Sequence, residues 1–257
     1  MRRRAIIIKN DRVGGDFING VNHDAENFKQ FLMKPYGGAW TESDRYDDNE
    51  IEVIYNQINK RQLLYHISML KECGTKYFLI YFVGHGYATA QGEPMMIMAS
   101  GYELSVSELR NACSGVPAML ITDSCQAYEE DSRLLNEARL RMFSQGGVID
   151  SAVYETAKLY YNFKLSRLPK DMFTIASAVS LGQEAGEDSN KGGYYSVALL
   201  DACKKCLKDE TLPSNVYGIG GIHYLAQKDV EARTNGKQVP SLSGYTRSSQ
   251  PPFLVKL

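Results

Sequence analysis

Apolar residues along this chain fall into two alternating patterns. Short runs rich in β-branched or aromatic residues, bounded by turn residues, lie at Ala5 to Ile8, Ile51 to Tyr55, Tyr77 to Val83, Ala118 to Thr122 and Phe173 to Ala176. They lack a polar residue at every second position, so they read as strands buried on both faces. Between them the apolar period lengthens to that of a helix. Ala25, Phe28, Phe31 and Leu32 follow an Asp24 that reads as a cap, and Leu63, Leu64, Ile67 and Leu70 end before Gly74. Ser105 and Glu108 have capping-box spacing for a helix over Ser105 to Ala112, and Val197, Leu200, Cys203 and Leu207 form one stripe. Strand alternating with helix predicts an α/β fold: a mostly parallel sheet covered by helices on both faces.

In such sheets the reacting groups gather at the carboxyl ends of strands. Two predicted strands end on chemically capable residues. Tyr77 to Val83 runs into Gly84-His85-Gly86, and Ala118 to Thr122 runs into Asp123-Ser124-Cys125. The separation of 125 − 85 = 40 residues leaves room for a crossover helix and a return strand, so the two ends can be neighbours. A thiol attacks a peptide carbonyl as the thiolate and needs a proton acceptor near neutral pH, the usual work of histidine. Cys125 is therefore the candidate nucleophile and His85 its base, with the Gly86 and Cys125 N–H groups as candidate oxyanion donors.

Composition narrows the field. The chain has 257 residues, 44% hydrophobic and 23% charged, enough for a full core in one domain, and its net charge of −1 gives no polyanion-binding surface, so no nucleic-acid partner is expected. No apolar run approaches the roughly 18 residues of a membrane span. Five dispersed cysteines, Cys73, Cys113, Cys125, Cys203 and Cys206, suit a reducing compartment, and a cytoplasmic location is expected. Cys203-x-x-Cys206 lacks a second ligand pair and reads as a helix face, not a metal site. His23 reads as decoration of a helix start, His66 as a helix-surface residue, and His223 as part of a turn after Gly220-Gly221.

These landmarks, in this order, resemble the caspases and metacaspases. Ala5 to Asn10 is similar to the family's first strand and Gly20-Val21-Asn22-His23-Asp24-Ala25 to the start of its first helix. Tyr81-Phe82-Val83-Gly84-His85-Gly86 is similar to the catalytic-histidine strand, and Asp123-Ser124-Cys125-Gln126-Ala127 to the nucleophile loop. The resemblance implies a caspase-like three-layer αβα sandwich, in a metacaspase or bacterial orthocaspase form. It implies a single peptidase domain over 1–257, with a large-subunit-like part (1–128), an intersubunit loop (129–170) and a small-subunit-like part (171–257).

Caspases that cut after Asp carry Gln-Ala-Cys at the nucleophile and an Arg two residues before the helix-start Gly; this chain has Asp123-Ser124-Cys125 and Ile18 there. Replacing a cation with an acid inverts the preferred side chain, so the expected substrate is a protein cut after Arg, or after Lys. Asp123 and Glu187, the latter in Gln183-Glu184-Ala185-Gly186-Glu187, are the expected acids of the pocket, with Asp188 in reserve. The resemblance further implies self-cleavage in the connection, for which Arg139, Arg141 and Arg167 are the candidate sites, or activation by calcium, for which no spaced-carboxylate loop is visible. Within the connection, Ser151 to Phe163 also reads as a surface helix, with Ala152, Glu155 and Leu159 at helical spacing, which would protect Lys158. No cofactor is otherwise expected, and monomer or homodimer cannot be read. A role in regulated cell death or in defence is implied by the family alone. Two other readings fit the fold: a silent adaptor, and a peptidase of clostripain, gingipain or legumain type.

Overall fold

The computed structural model describes residues 1–13, 16–18, 20–45, 48–55, 58–98, 101–126, 150–188 and 190–257. Among these, six strands form the central sheet: β1 (Arg4–Asn10), β2 (Ile51–Tyr55), β3 (Phe78–Gly84), β4 (Ala118–Asp123), β5 (Phe173–Ser177) and β6 (Ser241–Ser243). Their spatial order is β6-β5-β4-β3-β1-β2. All neighbours run parallel except β6, which is antiparallel at the edge. Five strands lie where the apolar runs predict them. The sixth, Ser-Leu-Ser, is partly exposed and carries no run to find.

Among the described residues six α-helices cover the sheet: α1 (Val21–Met33), α2 (Lys60–Glu72), α3 (Val106–Cys113), α4 (Ser151–Leu165), α5 (Tyr194–Lys208) and α6 (Ile219–Arg233). Successive strand residues point to opposite faces, which produces two cores. Ile6, Ile8, Phe78, Ile80, Phe82 and Leu120 pack with α2 and α3. Ala5, Ile7, Leu79, Tyr81, Met119 and Ile121 pack with α1, α4, α5 and α6. Each Ile, Leu, Met or Phe among them taken fully out of water contributes roughly 1.5–3 kcal/mol, so burial on two faces fixes the register of the middle strands. The layers are helix, sheet and helix.

Two local readings are corrected. Asp24 does not cap α1: the N-cap is Gly20, and Asp24 is buried in the first turn. His223 lies inside α6, buried, with its Nδ1 2.7 Å from the Tyr195 hydroxyl, and burial pushes its pKa down to about 4. In the stretch 129–170 the helix reading of Ser151 to Phe163 holds: α4 runs there, and it packs Ala157, Tyr161 and Leu165 into the core. Arg139 and Arg141 fall outside the described residues. Arg167 is exposed in the turn after α4, 4.2 Å from the Phe163 ring centre.

Candidate active site

The parallel pairing of β3 with β4 sets Val83 opposite Asp123. His85 and Cys125 each follow two residues later, so they leave adjacent strand ends side by side. Gly86 lies hard against the loop that carries Cys125: a Cβ there would sit 2.9 Å from Ser124 Oγ and 3.0 Å from the Cys125 carbonyl oxygen, so only glycine fits. The His85 carbonyl accepts from Ile97 N–H at 3.0 Å, which ties the histidine to the small antiparallel sheet of Gly86–Ala88, Pro94–Ile97 and Glu103–Ser105.

Past Cys125 the loop is anchored. Gln126 N–H donates to the Gln183 carbonyl at 2.9 Å, and its side chain donates to Ser177 Oγ at 2.5 Å. This brings the Glu184 to Glu187 stretch alongside. The Ala185 N–H points at Cys125 Sγ at 3.4 Å, and the thiol faces the Ala185 carbonyl at 3.8 Å. Burial pushes the Cys125 thiol up; the Ala185 N–H opposes this, while the charges of Glu184, Asp123 and Glu187 add to it. A thiol in such a place gains nucleophilic form only when a base takes its proton.

Beside the thiol opens a cleft with about 330 Å³ of empty space that extends to solvent, lined by Ile18, Asp24, Val83, Asp123, Cys125 and Glu187 among others. Three carboxylates reach it. Asp123 is 6% exposed and its Oδ2 accepts from Ser196 N–H at 2.9 Å and Ser196 Oγ–H at 2.6 Å. Asp24 is 3% exposed and accepts from Gly193 N–H at 2.8 Å. Glu187 accepts from Gly20 N–H, the first residue of the α1 cap, at 3.1 Å. Burial raises Asp123, and burial followed by the charge of Asp123 raises Asp24 well above the usual carboxylate range. Gly192-Gly193 makes the close approach possible, since a Cβ on either would fall within 2.1 Å of an Asp24 or Asp123 oxygen.

Asp188 stands apart. It pairs with Lys191 at 3.3 Å, both side chains being buried, and it is not among the cleft residues. Asp24 is the cleft acid that sequence reasoning missed; the helix-start motif contains it, but an acid ahead of an apolar helical stripe reads first as a cap. Among the described residues no group of three or more His, Cys, Asp or Glu is placed to hold a metal ion, and no helix is long and apolar enough to cross a membrane.

A family model described as the caspase domain matches residues 2–250. Among solved structures, caspase-1 from Spodoptera frugiperda superposes with a TM-score of 0.61 at 16% identity, over 95% of this chain and 86% of that one. No curated protein matches the chain by sequence.

Proposed function

The chain belongs to the caspase-domain family and is a cysteine-type peptidase, and from that premise we propose that it cleaves proteins after a basic residue, Arg above all, with Cys125 as nucleophile and His85 as base. The observation that carries the specificity is the cleft beside Cys125. Asp24 and Asp123 line it with no ion pair among the described residues, and Glu187 lines it with them. Buried carboxylates cost free energy unless a cation meets them, and an Arg side chain of the substrate supplies that cation.

In the chemistry that follows, Cys125 Sγ bonds to the substrate carbonyl carbon as its proton passes to the His85 imidazole. The oxyanion is received by backbone N–H groups, for which Gly86 and Cys125 are the candidates. His85 returns the proton to the departing amine, leaving a thioester that water cleaves through the same base. Self-processing after Arg139, Arg141 or Arg167 is part of the same proposal; Lys158, held in α4 by Glu50 and Thr41 at 2.9 and 2.8 Å, is protected.

The test is a panel of fluorogenic peptides with Arg, Lys, Asn, Leu or Asp before the bond. Wild type should turn over the Arg peptide fastest, and Cys125→Ala and His85→Ala should each lose nearly all of that rate without adding when combined. Fragment termini of wild type and Cys125→Ala, sequenced side by side by mass spectrometry, report self-cleavage. An Asp peptide cut faster than the Arg peptide overturns the pocket reading, and residual activity in Cys125→Ala overturns the nucleophile.

A further inference from the structure

Behind the cleft lies a buried chain of hydroxyl groups that the chemistry above does not use. Ser196, in the first turn of α5, gives both its N–H and its Oγ–H to the same oxygen of Asp123, at 2.9 and 2.6 Å. A serine hydroxyl has one proton, and that proton is committed to the carboxylate. The Tyr81 hydroxyl, 2.5 Å from Ser196 Oγ, must then be the donor in that contact. The relay has a direction: Tyr81 donates to Ser196, and Ser196 donates to Asp123. Tyr81 comes from the middle of β3, is 1% exposed, and is held by the Phe28 ring with centroids 4.3 Å apart.

Three elements thus converge on one carboxylate oxygen: β4 supplies the acid, α5 two donors, and β3 the hydroxyl that polarises one of them. Donors of this kind replace the water that Asp123 has lost and favour its charged form, and a bond to an ionised group is stronger than one between neutral groups. Hydrogen bonds in a chain strengthen one another. A packing role alone would not call for two hydroxyls in a buried line ending on an acid.

We propose that Ser196 and Tyr81 are positioning residues for specificity, a relay that fixes the orientation of the Asp123 carboxylate and keeps it charged for a cationic substrate side chain. This rests on the reading of the cleft as a pocket for a basic residue. Neither side chain touches substrate; both act through Asp123.

The test compares two peptides that differ only in having Arg or citrulline before the bond, citrulline being a neutral side chain of nearly the same shape. Ser196→Ala in the full chain should lower kcat/KM for the Arg peptide by about 10- to 100-fold, the worth of one hydrogen bond to a charged group, and mainly through KM. The citrulline peptide should change by less than about 2-fold, because it never used the charge. Tyr81→Phe, one step removed, should give the same signature at about 3-fold. Ser196→Thr keeps the hydroxyl and should restore the preference. Thermal melts of all three variants check that they fold. Equal losses on both peptides, or an Arg-to-citrulline ratio unchanged in both Ser196→Ala and Tyr81→Phe, overturn the relay while the pocket reading stands. A wild type that does not distinguish Arg from citrulline overturns both.

Discussion

One half-buried carboxylate and a buried pair sit at different places in this molecule and are treated in opposite ways. Glu50, just ahead of β2, meets Arg3 Nε at 3.2 Å and Lys158 Nζ at 2.9 Å, and also accepts from Thr41 N–H at 2.8 Å. Arg3 is fully buried, donates to the Gly38 and Ala39 carbonyls at 2.8 and 3.0 Å, and lies 4.2 Å from the Trp40 ring centre. Burial alone would raise the Glu50 carboxyl, but Arg3 and Lys158 together hold it below its usual value. In the cleft, Asp24 and Asp123 have, among the described residues, backbone and hydroxyl donors instead of cations, and both carboxyls are raised. The first cluster is complete within the chain. The second has its charge left over, which is the arrangement expected where a ligand brings the missing partner.

The contrast breaks most visibly at Arg3. Arg3→Met should destabilise the fold by about 3–5 kcal/mol, because it strips one cation from Glu50 and leaves the half-buried carboxylate beside Lys158 alone. Denaturant melts measure the loss, and the order of peptide preferences in the folded fraction should not change. A variant as stable as wild type would mean that the cluster is not what ties α4 to the N-terminal strand.

This difference also marks how far the sequence could be read. The middle strands were legible because β1, β3 and β4 bury both faces and are written as unbroken apolar runs; the placement of His85 and Cys125 at neighbouring strand ends was legible because they follow those runs directly. Asp123 and Glu187 came from position and resemblance. Asp24 did not, because its neighbours in the cleft, Gly193 and Asp123, are distant along the chain, 193 − 24 = 169 and 123 − 24 = 99 residues away. Nor could the Glu50 cluster be foreseen: Arg3 near the N-terminus and Lys158 on α4 look like ordinary surface charges until the fold brings them to one carboxylate. The β6 edge strand and the Gly86–Ala88 sheet escaped because they are short and half exposed, so apolar patterning does not specify them.

Asp24→Asn sharpens the comparison from the other side, with a smaller effect. Removing this charge should lower kcat/KM for an Arg peptide by about 2 kcal/mol of transition-state stabilisation. The same change should stabilise the empty protein by about 1 kcal/mol at neutral pH, since a buried charge without a cation is removed and the amide oxygen still accepts from Gly193 N–H. The pH dependence has a definite sign. Folded Asp24 holds its proton more tightly than the unfolded chain does, so wild-type stability falls as pH rises through the raised value. Asp24→Asn should lose that part of the slope in melts across pH. A less stable Asn variant at neutral pH would place Asp24 with Glu50 among the structural acids.

The smallest effect concerns the thiol itself. Burial is the largest reason that Cys125 resists ionisation, and the nearby charges of Glu184, Asp123 and Glu187 add to it. Neutralising one of them should therefore lower the thiol pKa and raise its thiolate fraction. Asp123→Asn should speed iodoacetamide alkylation of Cys125 at pH 8 by about 2- to 5-fold, the scale of one screened charge at close range. Glu50→Gln, the same change of charge in the compensated cluster, should leave the rate alone. Mass spectrometry of the Cys125 peptide separates this reaction from that of exposed Cys73. An unchanged or slower rate in Asp123→Asn would mean that the cleft acids do not reach the sulfur. If the rate rises, a substrate cation entering the cleft acts in the same direction as the substitution. Acids proposed to select a basic residue would then also hold the Cys125 thiol back until that residue arrives.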